Sequence, residues 1–204
     1  ETYNRRNVEL VSIRNNPVDE ITARGVRLAD GTEHPLDMLI FALGFDAGTG
    51  ALTNMAIRGR GGRRLSEEWA SGAQTYLGLG VEGYPNLFIL AGPHSPILNF
   101  PVLIEHKAQW IGRTLEYLRA GRKNRIEPRP GTMERWNQRL LQLFNATLLP
   151  GSEKVGSYYV GANIPGKATG PLFYFGGAPK YFREIDAAAE AGYEGFSIDA
   201  HASA

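Results

Sequence analysis

The sequence predicts an α/β fold, on three observations. Short β-rich runs fill its first part, two nearly all-apolar runs end at a glycine, and three segments of helical period occupy the second half. Residues 8–13 are β-rich and are broken by Asn15-Asn16-Pro17. Residues 18–23 and 25–28 form the next two strand candidates, closed by the hairpin signal Asp30-Gly31. Residues 36–43 are almost wholly apolar and stop at Gly44, and residues 86–91 read the same way before Gly92-Pro93. Such runs fit strands covered on both faces, as in a parallel sheet.

Three helices follow. Over 100–119 the apolar positions Ile104, Ala108, Ile111, Leu115 and Leu118 keep one face, with Gly121 as the stop. Residues 132–148 carry Trp136, Leu140, Phe144 and Thr147 at helical spacing before Pro150-Gly151, and residues 180–191 end at Gly192. The stretch 156–177 is rich in glycine and aromatics and has no clean period. The expected organisation is the closing part of a nucleotide-binding α/β domain over residues 1–120, then a helical and loop-rich extension over 121–204.

Composition excludes several functions. With 22 Lys+Arg against 21 Asp+Glu, the 204 residues lack the basic surface of a non-specific nucleic-acid binder. The absence of cysteine removes disulfides, thiolate metal sites and thiol nucleophiles from these residues. No apolar run approaches the roughly 18 residues of a membrane span. A cytoplasmic protein without membrane or nucleic-acid partners is the expectation.

Most motif matches have bland readings. Gly78-Leu79-Gly80-Val81-Glu82-Gly83 has the spacing of a dinucleotide fingerprint, but Tyr84-Pro85-Asn86 follows instead of a helix, so a glycine-rich turn is expected. The arginines of Gly59-Arg60-Gly61-Gly62-Arg63-Arg64 are expected to be solvated rather than to cradle phosphate. His34, His94, His106 and His201 have no ligand spacing, so no metal is expected. The informative segment is the loop Gly92-Pro93-His94-Ser95-Pro96-Ile97-Leu98-Asn99-Phe100-Pro101. Asn99 is a candidate N-cap and Pro101 suits a first helical turn. The first N–H groups of that helix then suit an electron-rich oxygen, with ordinary capping as the competing reading. Gly44 permits close backbone approach at its strand end, and 157–167 could lie over a flat heterocycle or be a plain surface loop.

In order along the chain, Tyr3-Asn4-Arg5-Arg6-Asn7, Gly44-Phe45-Asp46-Ala47, Ile57-Arg58-Gly59, Thr75-Tyr76-Leu77-Gly78-Leu79, Pro85-Asn86-Leu87-Phe88, Gly92-Pro93, Ile104-Glu105, Gly161-Ala162-Asn163-Ile164-Pro165-Gly166-Lys167 and Gly192-Tyr193-Glu194-Gly195-Phe196 form a specific set. Together they resemble the C-terminal portion of the Baeyer–Villiger monooxygenases, over nearly the whole chain. The resemblance implies the closing part of a Rossmann-like FAD-binding domain, with FAD and NADPH as cofactors. It implies insertion of one oxygen atom of O2 next to the carbonyl of a small hydrophobic ketone, giving an ester or lactone. Gly44, Asp46, Asn99, Phe100, Tyr158 and Lys167 are the implied cofactor-binding residues, with the Phe100 N–H on the flavin pyrimidine oxygen. Ile97, Leu98, Phe100 and Phe173 are the implied ketone pocket.

Two positions depart from the family pattern on the nicotinamide side. The family has Ala-Thr-Gly where Ala42-Leu43-Gly44 stands, and Trp where Tyr158 stands. The family's two Rossmann fingerprints and its catalytic arginine lie upstream of the matched region, so no catalytic residue is expected in this chain. It is expected to be inactive alone and to need the missing N-terminal portion. A related flavin monooxygenase acting on N or S, and a non-catalytic remnant serving as an interaction module, are the alternatives.

Overall fold

The structure, a computed structural model, describes residues 1–199, so His201 lies outside the described residues. The chain divides into two compact units between Gly44 and Phe45.

In the first unit, β1 (Val18–Thr22), β2 (Gly25–Leu28) and β3 (Glu33–Pro35) form an antiparallel meander. Gly25 is required by close approach, since a Cβ there would lie 2.0 Å from the His34 carbonyl oxygen. The Asp30-Gly31 signal closes the β2–β3 turn, where the Leu28 N–H donates to Thr32 O at 2.9 Å. Residues 8–13 are not a strand, and residues 36–43 are neither a strand nor buried. Met38, Ile40 and Leu43 are 76, 78 and 86% exposed. Strand structure needs partners for its N–H and C=O groups; Leu36 donates to Arg24 O at 2.9 Å, but no described residue pairs with 37–43.

The second unit contains two one-turn helices, α1 (Gly50–Thr53) and α2 (Leu65–Glu68), and three long ones. These are α3 (Phe100–Ala120), α4 (Thr132–Asn145) and α5 (Ala178–Glu190). Between them, β4 (Ser95–Pro96) pairs in parallel with β6 (Phe173–Tyr174). The strand β5 (Arg125–Pro128) pairs antiparallel with β7 (Phe196–Asp199). Residues 86–91 are also not a strand. The Asn86 and Ile89 N–H groups instead donate to Ile126 O and Leu79 O, both at 2.9 Å.

Residues on both sides of position 120 share one core, in which Leu103, Trp110 and Leu118 of α3 meet Trp136 and Leu140 of α4 and Tyr181 and Ile185 of α5. Trp110 is fully buried and its indole N–H donates to Ile185 O at 2.8 Å. The buried face of α3 is Leu103, Lys107, Trp110, Thr114 and Leu118, not the face marked by Ile104, Ala108 and Leu115. Both stripes have helical spacing. The buried one includes a lysine and a threonine whose polar atoms find partners inside, Thr114 donating to Trp110 O at 2.8 Å. The helix α4 stops before 148 because Thr147 turns back, its hydroxyl donating to Phe144 O (2.7 Å) and accepting from Leu149 N (3.1 Å). Pro179 lets α5 begin two positions earlier than the sequence pattern indicates.

Candidate functional site

The loop leading into α3 is fixed from several sides. His94 is buried and holds a left-handed backbone at φ +64, uncommon outside glycine. Its N–H donates to Leu172 O at 2.8 Å, and its Nδ1 lies 2.7 Å from Thr75 Oγ1, which accepts the Gly78 N–H at 3.1 Å. Gly78, at φ +61, admits the loop, because a Cβ would stand 2.9 Å from His94 O. Ser95 and Pro96 then pair with Phe173 and Tyr174.

Beneath this loop lies Lys107, which no sequence pattern of apolar residues marks. Its buried ammonium donates to Gly78 O (2.8 Å), Ser95 Oγ (2.9 Å) and Ile89 O (3.3 Å). Burial pushes its pKa down to about 7, whereas three acceptors for three N–H groups favour the charged form. Burial, with the nearby Lys107 charge, holds His94 down to about 3, so its imidazole is neutral at physiological pH. The signal that finds Lys107 is the 103–107–110–114–118 spacing, read without regard to polarity.

Past this anchored stretch the chain turns outward. Ile97 and Phe100 are 50 and 51% exposed. Asn99 occupies the N-cap position of α3 in an extended conformation (φ −60, ψ 113), but its side chain makes no capping hydrogen bond. The expected side-chain cap is therefore absent: the extended Asn99 backbone opens the helix while its amide stays off the first-turn donors. Among the described residues the Phe100 N–H has no protein acceptor. The first turn thus keeps unsatisfied donors and the partial positive charge of a helix start.

Phe173, nearly buried on β6, sits in register with Ser95. The Tyr159 ring packs edge-on against it (5.7 Å, 72°), and Tyr158 stacks on Tyr159 (4.3 Å, 28°). The row runs outward to Tyr158, whose phenol pKa is raised mainly by its hydrogen bond with Tyr159. In the same loop Lys167 forms an ion pair with Asp46 and donates to Ala47 O at 3.2 Å, while Asn163 donates to Phe45 O at 2.8 Å. A cavity of about 310 Å³ lies beside this junction, lined by Asp46, Thr49, Trp69, Lys167 and Leu172 among others.

Two clusters therefore emerge. Ile97, Leu98, Asn99 and Phe100 lie on the loop paired with Phe173 and its aromatic row, and Asp46 meets Lys167. Leu172 links them, since it lines the cavity, accepts from His94 and donates to Tyr159 O at 3.2 Å. Gly44, at φ +82, belongs to the other unit.

The remaining motifs resolve simply. The 78–83 glycines form a turn, with Tyr76 bridged to Gly80. Arg60 pairs with Glu127 and Arg63 with Glu68 (3.0 Å), while both side chains stay more than half exposed, so these arginines are solvated as expected. His106 and Arg113 share Asp186 at 2.9 and 2.6 Å. Among the described residues no cluster could hold a metal ion, and no helix is long and apolar enough to cross a membrane.

No family profile matches the chain. It is 43% identical over 201 residues to an acetone monooxygenase (methyl acetate-forming) of Gordonia sp. strain TY-5, covering 97% of this chain and 37% of that protein. It is 41% identical over 198 residues to the phenazine N-monooxygenase PhzNO1 of Lysobacter antibioticus, covering 97 and 36%. It is 39% identical over 197 residues to a cyclohexanone 1,2-monooxygenase of Acinetobacter sp., again covering 97 and 36%. Among solved structures, the NADP+-bound cyclohexanone monooxygenase of Rhodococcus sp. Phi1 superposes with a TM-score of 0.87 at 39% identity, over 97% of this chain and 37% of that one. The complex of OTEMO with FAD and NADP superposes at 0.82 with 35% identity, over 97 and 37%. The chain thus spans little more than a third of the length of the relatives it matches.

Proposed function

We propose that this chain, a homologue of one section of the Baeyer–Villiger type of monooxygenase, seats the flavin pyrimidine and the ketone in an FAD- and NADPH-dependent enzyme. That enzyme inserts one oxygen atom of O2 beside the carbonyl of a small hydrophobic ketone to give an ester or lactone. The observation that carries the reading is the start of α3, where the Phe100 N–H has no protein acceptor and stands beside exposed apolar side chains.

The residues present fit the group. FAD bound there supplies the centre that accepts hydride from NADPH and activates O2. The Phe100 N–H would hold a pyrimidine carbonyl oxygen, where the partial positive charge of the helix start would favour negative charge. Ile97, Leu98, Phe100 and Phe173 exclude water and favour an apolar ketone. Tyr158 offers a ring face to the nicotinamide. The Lys167–Asp46 pair fastens the loop 157–167, which gates the site. The extended backbone of Asn99 sets the turn before Phe100.

The wider arrangement belongs to the same proposal. Part of the chain closes a Rossmann-like FAD-binding domain, and the remainder forms its helical extension. An upstream portion contributes the nucleotide fingerprints and the catalytic arginine, so the chain alone is inactive. Oxygenation of a ring nitrogen is the second reading, favoured by the similarity to a phenazine N-monooxygenase. Both are tested by giving the complete protein FAD, NADPH and either a cyclic or aryl ketone or a phenazine. Ester or lactone formation supports the first reading and N-oxide the second. NADPH consumption that does not depend on ketone, with no ester formed, overturns the first.

A further inference from the structure

We propose that Lys107 is a positioning residue for the flavin-facing loop, tying Ser95 to the backbone of two neighbouring segments and so setting where residues 97–100 present themselves. The inference rests on the reading of Phe100 given above.

Its basis is geometric. The loop 92–99 has only a short ladder of its own, Ser95 and Pro96 against β6. The turn containing Gly78 and the segment ending at Ile89 join no strand beside it. At the point where a sheet would supply cross-strand hydrogen bonds, the structure places one ammonium group on Gly78 O, Ile89 O and Ser95 Oγ. An apolar side chain of similar length would fill the space without the cost of burying a charge. It would also leave two buried carbonyls without donors. Lys107 stands roughly two turns along the same helix whose start carries Phe100. One contact therefore fixes both the depth of the loop and the rotation of α3 relative to it. Ser95 is the loop's end of that contact, two residues before Ile97.

Two titratable groups face the ammonium. His94, from the loop, is neutral and engaged with Thr75. Tyr181, from α5, has its ring 5.5 Å away and donates its phenol proton to Leu77 O at 2.7 Å. No described carboxylate pairs with Lys107. Loss of its proton therefore removes the charge from the contact without a compensating ion pair.

The test uses the complete flavin-loaded protein and the variants Ser95→Ala, Ser95→Thr and Lys107→Met. Ser95→Ala is expected to weaken FAD binding about tenfold, the weight of one hydrogen bond to a charged group. It should shift the flavin absorption bands while the melting temperature stays within a few degrees of wild type. Ser95→Thr, which keeps the hydroxyl, should restore affinity and spectrum. Lys107→Met, which leaves Gly78 O and Ile89 O without their donor, should weaken FAD binding at least as much as Ser95→Ala. If that variant does not fold, the serine pair still decides. Wild-type affinity and spectrum in Ser95→Ala would overturn the positioning role and leave the functional reading standing. Failure of the wild-type protein to bind FAD would instead sink the functional reading, and this inference with it.

Discussion

Trp110 and Lys107 occupy the same face of α3, and each answers to substitution in its own way. Trp110→Ala removes a fully buried ring and the donor to Ile185 O, so a loss of about 3–5 kcal/mol is expected, read from the denaturant midpoint. Tyr181→Phe keeps the ring but leaves Leu77 O unpaired in the core, and is expected to cost about 1–2 kcal/mol. His94 gives a pH dependence of definite sign. Its pKa is about 3 in the folded protein against about 6.5 unfolded. The unfolded chain therefore binds the extra proton between those values, and stability falls as pH drops from about 6.5 towards 3. His94→Gln should flatten that part of the stability–pH curve measured by chemical denaturation. The loop that holds His94 was legible in the sequence from its glycine, prolines and Asn99. Lys107 was not, because apolar periodicity passes over a lysine whose acceptors come from residues 78, 89 and 95.

At the scale of elements, the start of α3 separates backbone from side-chain chemistry. Phe100→Pro removes the N–H that the flavin reading requires. Proline is tolerated in a first helical turn, and Asn99 already has the extended conformation that a following proline demands. Phe100→Ala removes the ring and keeps the N–H. FAD affinity is expected to fall at least about tenfold in Phe100→Pro and to change little in Phe100→Ala, by flavin fluorescence titration. The loop 157–167 is tethered by Lys167 to Asp46. Asp46→Asn should raise KM for NADPH more than it lowers the rate at saturating ketone, measured by steady-state kinetics. Helix starts and stops were readable from Gly121, Thr132 and Gly192, because caps and turns depend on near neighbours. The buried face of α3 was not, since Ile104 and Leu115 carry the same period as Leu103 and Trp110.

At the scale of the whole molecule, exposed apolar surface sets behaviour. Ile40, Phe41, Leu43 and Phe45 are 78, 63, 86 and 84% exposed, a run of a kind that folded proteins seldom leave uncovered. The chain expressed alone should bind a hydrophobic dye and self-associate, and Ile40→Lys with Phe41→Lys should reduce both, by dye fluorescence and sedimentation. The same pair in the complete protein should abolish flavin loading if those residues form a covered strand there. By itself the sequence determined β1, β2 and the turn after β2, the three long helices and the start of α3 at Phe100, because turn residues, capping positions and period act over a few residues. Only the tertiary structure decided that 37–43 stays unpaired, that Lys107 lies inside, and that Asp46 meets Lys167. Those outcomes depend on hydrogen-bonding and charged partners far away along the chain, and local pattern carries no record of which partner arrives.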